Sequence, residues 1–326
     1  MKESIVYGTG VLIITNFLVK ILSLVYRGVL IRLVGSEGLG LSEMIMPIFS
    51  FILVISSLGI PAAMTNLISY DIEKKERIAI LKTGLLFLTF NSIIAVILVF
   101  MLFPYIVLYL LPDQRLTLSF LLLLPAVIII SVFSAYRGYF QGTQQSSLIG
   151  KSQFIEQIVR VFLGIAIVTA LIKENYTLSV IIGGLSVTTI FAEIAGGLYL
   201  FRKYRKQRKT EINGKVSFKL FRKFLSIGSP LTLSRIATSL AISAQAILIP
   251  KALIASGYSI SMAASLFGYF SGVALTILHL PNIVTNAITV PLIPAVAEAY
   301  KKHDTATLNR RIRDSMVFTI YTAVPM

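Results

Sequence analysis

Long apolar runs alternate with short charged breaks along most of the chain. A run of about 18 apolar residues, wound as a helix, covers the ~30 Å of hydrocarbon in a bilayer. By that rule the pattern predicts helices over 7–33, 41–70, 78–111, 116–140, 154–171, 178–201 and 224–249. An eighth begins near Ile260 and passes Pro281 and Pro291, and a ninth begins near Met316. The breaks are Gly35-Ser36-Glu37-Gly38, the charged run 71–77, the turn 112–115, the polar stretch QGTQQSSLIGKSQ (141–153), Lys173-Glu174-Asn175 and Pro250-Lys251. Pro47, Pro61 and Pro104 fall inside predicted helices, where each removes a backbone hydrogen bond and marks a kink. The apolar residues 318–326 open a helix that the chain does not complete, so it reads as part of a longer protein.

The longest polar interruption, FRKYRKQRKTEINGKVSFKLFRKF (201–224), carries ten of the chain's thirty Lys and Arg and one acid, Glu211. It divides the chain into a first six-helix lobe (1–201), a basic linker (202–223) and a partial second lobe (224–326). With the N-terminus in the cytoplasm, inside segments hold Lys2, Lys74, Lys75, Arg77, Lys82, Arg137, Lys151, the linker's ten, Lys301, Lys302, Arg310, Arg311 and Arg313. That is 22 cations, against four outside: Arg32, Arg115, Lys173 and Lys251. Cytoplasmic loops collect Lys and Arg, so this bias sets the orientation. It also accounts for the net charge of +16 without nucleic acid, and leaves anionic lipid headgroups as the partners of those loops.

Composition agrees with the pattern. The chain is 56% hydrophobic and 13% charged, too apolar for a water-soluble core. It has no cysteine, which excludes disulfides and thiolate metal sites. His279 and His303 lie too far apart for a local metal motif. No phosphate-cradling glycine loop or nucleophile triad stands out, and the outer turns are too short for a catalytic domain. Nothing here implies an enzyme or a cofactor, and the coupling ion is left open.

Residues 58–68, LGIPAAMTNLI, and 278–288, LHLPNIVTNAI, share Leu, Pro, Thr, Asn and Ile at a constant offset of 220. The offset spans six predicted helices, an even number, so the two copies point the same way. Such a parallel repeat suits a transporter that rocks two halves about a central site. Pro61 and Pro281 would then hinge equivalent helices.

Ionisable groups inside a membrane cost roughly 2.5–3.5 kcal/mol each on insertion scales, so they are functional candidates. Lys20 and Arg27 lie in the first predicted helix, two turns apart; Arg235 lies mid-way along the seventh and Arg160 in the fifth. Together they make a candidate cationic cavity for an anion such as a phosphate, which Arg grips with two parallel hydrogen bonds. Arg160 has Glu156 one turn before it and Glu193 across a helix pair, and Arg27 or Arg32 could meet Glu43. Lys20 and Arg235 have no acid at their depth, and the expectation is that Lys20, Arg27 and Arg235 stay uncancelled. Arg137 and Gln141, one turn apart, are expected with Glu156 in a network on the cytoplasmic side.

Three stretches, RLVGSEGLGLSEMIMPIFSFILVISSLGIPAA (32–63), SAYRGYFQGTQQSSLIGKSQFIEQIVRV (134–161) and LPNIVTNAITVPLIPAVAEA (280–299), resemble the stage V sporulation protein B-like branch of the polysaccharide and oligosaccharide flippases. Multidrug (MATE) exporters and the peptidoglycan lipid flippase belong to the same superfamily. The resemblance implies two six-helix lobes in a V, about fourteen helices in all, and export of an undecaprenyl-pyrophosphate-linked saccharide; a monomeric transporter is expected. It also places Lys20 and Arg27 near the essential arginines of the flippases' first helix, although Tyr26-Arg27 stands where that branch tends to have Arg-Asp. A MATE-like exporter of cationic drugs, which would need an acidic cavity, and a non-transporting membrane scaffold are the alternatives.

Overall fold

Gly35 divides the first helical element into two limbs. The computed structural model describes residues 5–70, 73–207 and 215–278, together with Arg310, Arg313, Met316 and Val317. Within α1 (Ile5–Ser57) Gly35 leaves helical geometry at φ 71°, ψ 177°, a conformation that suits a residue without Cβ. Arg27 and Glu43 stand eight residues to either side, and their side chains meet at 3.0 Å. On a straight helix sixteen residues would hold them ~24 Å apart. The limbs therefore form a hairpin, and the predicted four-residue break narrows to one residue.

The returning limb ends at Ser57. Leu58 and Gly59 follow in left-handed conformation, φ 46° and 64°, and α2 (Ile60–Ser69) begins afresh with Pro61 in its first turn. This corrects the expected hinge. Pro61 sits where its missing N–H has no helical acceptor to lose, so it starts a helix rather than bending one. Pro281, its expected counterpart, lies outside the described residues, as do His279 and most of the expected ninth helix. The helix expected over 78–111 is three pieces: α3 (Lys74–Met101), α4 (Phe103–Tyr105) and a π-helical turn, Ile106–Leu110. Pro104 opens α4 instead of kinking a longer helix.

Next come α5 (Leu116–Gly142), α6 (Ser146–Lys173), α7 (Leu178–Gln207) and α8 (Phe218–Ala255). Most of the stretch expected as a loop over 141–153 is the start of α6. Its small residues pack instead of facing water: Gly150 abuts Thr15 of α1, and the Ser152 hydroxyl donates to the Gly196 carbonyl of α7 at 2.9 Å. Small and hydroxylated residues let membrane helices approach closely, and hydropathy misreads them as polar loop. The helix ends on either side of the basic segment also shift. α7 runs six residues past 201 and α8 starts six before 224, because hydropathy marks the exit from the bilayer while Arg, Lys and Gln sustain a helix beyond it. Pro250 is buried within α8 and does not end it; neighbouring helices shield the freed carbonyl from lipid. α9 (Ile260–Phe267), a π-helical stretch Gly268–Ala274 and α10 (Leu275–Leu278) complete one further span.

Seven helices among the described residues are long and apolar enough to cross a membrane, and those residues contain no strand. α5, α6, α7 and the first limb of α1 pack as one bundle; the second limb carries that bundle's contacts to α8 and α9. Two buried clusters fill the interior. One, around Tyr26, Leu41, Met44, Phe120 and Phe267, lies towards the Gly35 hairpin. The other, around Met64, Phe140, Tyr204 and Phe224, lies towards the basic segments. These two poles are called the hairpin end and the basic end below.

Candidate functional site

The returning limb of α1 meets the second part of the chain along its length, and glycines set the spacing. A Cβ on Gly40 would lie 1.9 Å from the Ala264 carbonyl oxygen, and one on Gly268 would lie 2.3 Å from that of Ser36. Backbone touches backbone there, so neither position can carry a side chain without parting the helices. Towards the basic end, a Cβ on Gly59 would lie 2.5 Å from the Gly228 carbonyl oxygen. Between these crossings the Ser243 hydroxyl donates to the Pro47 carbonyl at 2.9 Å.

Arg27 belongs to the contact near the hairpin end. Its guanidinium pairs with Glu43 at 3.0 Å, donates to the Gly272 carbonyl at 3.2 Å and bonds Thr276. Ser271 donates to Glu43 from the same π-helical stretch, at 3.5 Å. The expectation of an uncancelled Arg27 is therefore wrong: the hairpin at Gly35 folds Glu43 back to the same level. At the hairpin end itself Arg115 bridges Asp113 (2.7 Å) and Glu37 (2.8 Å), and Ser261 donates to Glu37. Hydrogen bonding to Asp113 holds the Arg115 pKa above its already high ordinary value.

Lys20 and Arg235 behave differently. Neither makes an ion pair with a described residue, and both side chains are exposed. Lys20 lies seven residues before Arg27, two turns along the same face, the face that Arg27 presents to Gly272 and Thr276. Arg235 is displaced roughly 45° round α8 from the buried line Gly228–Thr232–Ser239–Ser243–Ala246, at 100° per residue. Both cations thus lie on or near helix faces that carry contacts between the two parts, and both are exposed among the described residues.

A second set of charges lies inside the first bundle. One nitrogen of Arg137 (α5) bonds Glu156 (α6) and Glu193 (α7), each at 2.9 Å. Arg160 bonds Glu156 at 2.8 Å and approaches Glu193 at 3.6 Å. Two guanidiniums and two carboxylates close a neutral ring that ties three helices together. This changes two expectations. Arg160 is spent on acids of its own bundle. Gln141 is exposed and makes no side-chain hydrogen bond among the described residues, because the Arg137 guanidinium is turned towards α6 and α7. Glu193, expected across a helix pair from Arg160, also bonds Arg137, a pairing not expected from sequence. The glycine crossings were missed too, although Gly268-Tyr-Phe-Ser-Gly272 is a small-xxx-small spacing that favours close helix packing. No group of three or more metal-ligating side chains occurs among the described residues.

Residues 5–300 match the polysaccharide biosynthesis protein family. The chain is 29% identical over 330 residues to stage V sporulation protein B of Bacillus subtilis (strain 168), an alignment that takes in 97% of this chain and 62% of that protein. It is 23% identical over 356 residues to the lipid II flippase MurJ of the same organism, with 100% of this chain and 63% of MurJ covered. The chain thus spans less than two thirds of the length of these relatives. Among solved structures, an inward-facing multidrug resistance MATE family transporter superposes with a TM-score of 0.59 at 17% identity, over 93% of this chain and 68% of the transporter. A MATE structure in a straight conformation gives 0.58 at 17% identity, over 98% and 69%. This polytopic, all-helical membrane chain, with the fold of the MATE transporters, belongs to the polysaccharide biosynthesis protein family.

Proposed function

We propose that the protein carrying this chain moves an anionic lipid-linked saccharide, with an undecaprenyl-pyrophosphate headgroup, from the cytoplasmic to the outer leaflet. It acts as a transporter by alternating access and not as an enzyme, and the basic end faces the cytoplasm. The observation that carries this reading is that Lys20 and Arg235, both within membrane-spanning helices, make no ion pair with a described residue. A bare cation in hydrocarbon is costly, whereas one lining a wet path is tolerated and attracts a diphosphate. The two glycine crossings supply closures, Gly40–Gly268 towards the outside and Gly59–Gly228 towards the inside. Access from one side requires that the crossing on that side part. Arg27 holds the outer closure through Glu43, Gly272 and Thr276. A pyrophosphate drawn up from Lys20 would compete for its guanidinium and loosen that hold. The membrane potential, negative inside, favours outward movement of the anion.

The names of the relatives support this reading: one is a lipid II flippase. The MATE-like alternative, export of a cationic drug, calls for free acids in the path. Glu43, Glu156 and Glu193 are each engaged by arginine instead. The test is translocation of a fluorescent undecaprenyl-pyrophosphate saccharide by full-length protein in liposomes. Outward transfer that depends on Lys20 and Arg235 supports the proposal. Absence of transfer, with export of a cationic dye from the same liposomes, favours the alternative.

A further inference from the structure

The cations at the basic end are arranged more specifically than membrane topology demands. On α7, Arg202, Lys203, Arg205 and Lys206 occupy the last two turns; Lys215 precedes α8, and Lys219, Arg222 and Lys223 stand in its first two turns. None of the eight makes an ion pair with a described residue. They surround a shared aromatic core. Tyr204 and Phe224 are buried in one cluster, with Phe201, Leu220 and Phe221 packed against it. Phe221 stacks on Phe87 of α3 with ring centres 3.9 Å apart, and the Ser217 N–H donates to Thr83 at 3.3 Å. The segment 215–224 is therefore docked along one side. At the edge of that docked face Val216 and Phe218 remain 49% and 63% exposed among four free cations, with the Phe218 ring 6.3 Å from Phe87. Arg222 lies over the Phe218 ring at 5.8 Å, and Arg205 over Phe201 at 6.0 Å.

A hydrated, purely electrostatic loop needs no exposed aromatics. Apolar side chains set among cations at the end of a membrane span fit the boundary between headgroup and acyl chain. We propose that residues 215–223 of the linker and α8, with the last two turns of α7, form a binding surface for anionic phospholipid headgroups of the adjacent leaflet. The aromatic side chains enter the acyl boundary and the cations hold the phosphates. This inference does not depend on which substrate the protein carries.

The test uses full-length protein in phosphatidylcholine vesicles, with trace spin-labelled phosphatidylglycerol or phosphatidylcholine and no glycan lipid present. Each surface cation contributes up to about a fivefold preference for an anionic lipid. The expected result is several-fold selective immobilisation of phosphatidylglycerol, lost in K219Q/R222Q/K223Q and reduced in F218A, which keeps every charge. In the wild type the selectivity should also fall as salt is raised from about 0.05 M to about 0.5 M, as screening requires. That arm needs no variant, so poor insertion of the triple mutant leaves the proposal testable. Equal immobilisation of the two lipids would overturn it and reduce these cations to topology signals, as would selectivity unchanged by salt or retained in the triple variant.

Discussion

The charges inside the first bundle and the exposed ones contrast directly. Arg137 and Arg160 are closed into a ring with Glu156 and Glu193, while Lys20 and Arg235, also within membrane-spanning helices, have no described acid against them. Burial forces the first arrangement, since a charge surrounded by protein and lipid must find its opposite or lose its protonation state. The second arrangement is tolerated beside water, a mobile anion or a lipid headgroup. Arg27 lies between the two, paired with Glu43 yet also bonded across the contact between the parts. An intramembrane arginine is therefore not a substrate ligand by default. Its partner decides whether it serves the fold, the closure or the cargo.

The sharpest way to break this contrast is to open the ring. Arg137→Met leaves Glu156 and Glu193 with Arg160 alone and should destabilise the protein by about 3–5 kcal/mol, read as a large fall in Tm in detergent. Arg137→Lys keeps the charge, but its ammonium must reach the place where a single guanidinium nitrogen bonds both acids, and it should cost about half as much. If either variant lost transport at wild-type stability, the ring would belong to the transport path. Gly268→Val attacks the crossing instead. Its branched side chain meets the Ser36 carbonyl, and the expected cost is about 1–3 kcal/mol with loss of transport. Normal transport in that variant would remove the crossing from the closure.

Smaller effects separate Arg27 from both groups. Glu43→Gln frees Arg27 at nearly constant shape. Because the Arg27 side chain is 34% exposed, the stability change should stay near 1 kcal/mol. Accessibility of the path from the hairpin end should rise, measured by labelling a cysteine placed at Thr276; the chain has no cysteine of its own. The smallest change is expected of Pro61→Ala, within about 1 kcal/mol, since the break lies at Leu58-Gly59. A large loss there would restore Pro61 as a hinge.

Much of this was readable from residue order. Apolar run length gave the spans, and the break at Gly35-Ser36-Glu37-Gly38 marked where the first limb ends. The spacing of Glu156 and Arg160 gave one edge of the ring, because i and i+4 share a helix face. What stayed hidden depends on three-dimensional proximity. Glu43 had two possible arginine partners, Arg27 and Arg32, until the limbs were folded together. Gln141 shares a face with Arg137, yet tertiary contacts to α6 and α7 took the guanidinium. Ser147, Gly150 and Ser152 lower hydropathy while building a helix contact, so the start of α6 read as loop. The extensions of α7 and α8 lie outside the bilayer, where apolar length carries no information.

The central claim is that the unpaired cations are kept for the cargo. It is tested most directly by the Kd of purified full-length protein for an undecaprenyl-pyrophosphate saccharide, compared between wild type and the K20Q/R235Q variant. We expect the Kd to rise at least about tenfold, ~1.4 kcal/mol, while Tm stays within about 2 °C. An unchanged Kd would contradict the account, because two cations that hold neither the fold nor the substrate would then have no role in it.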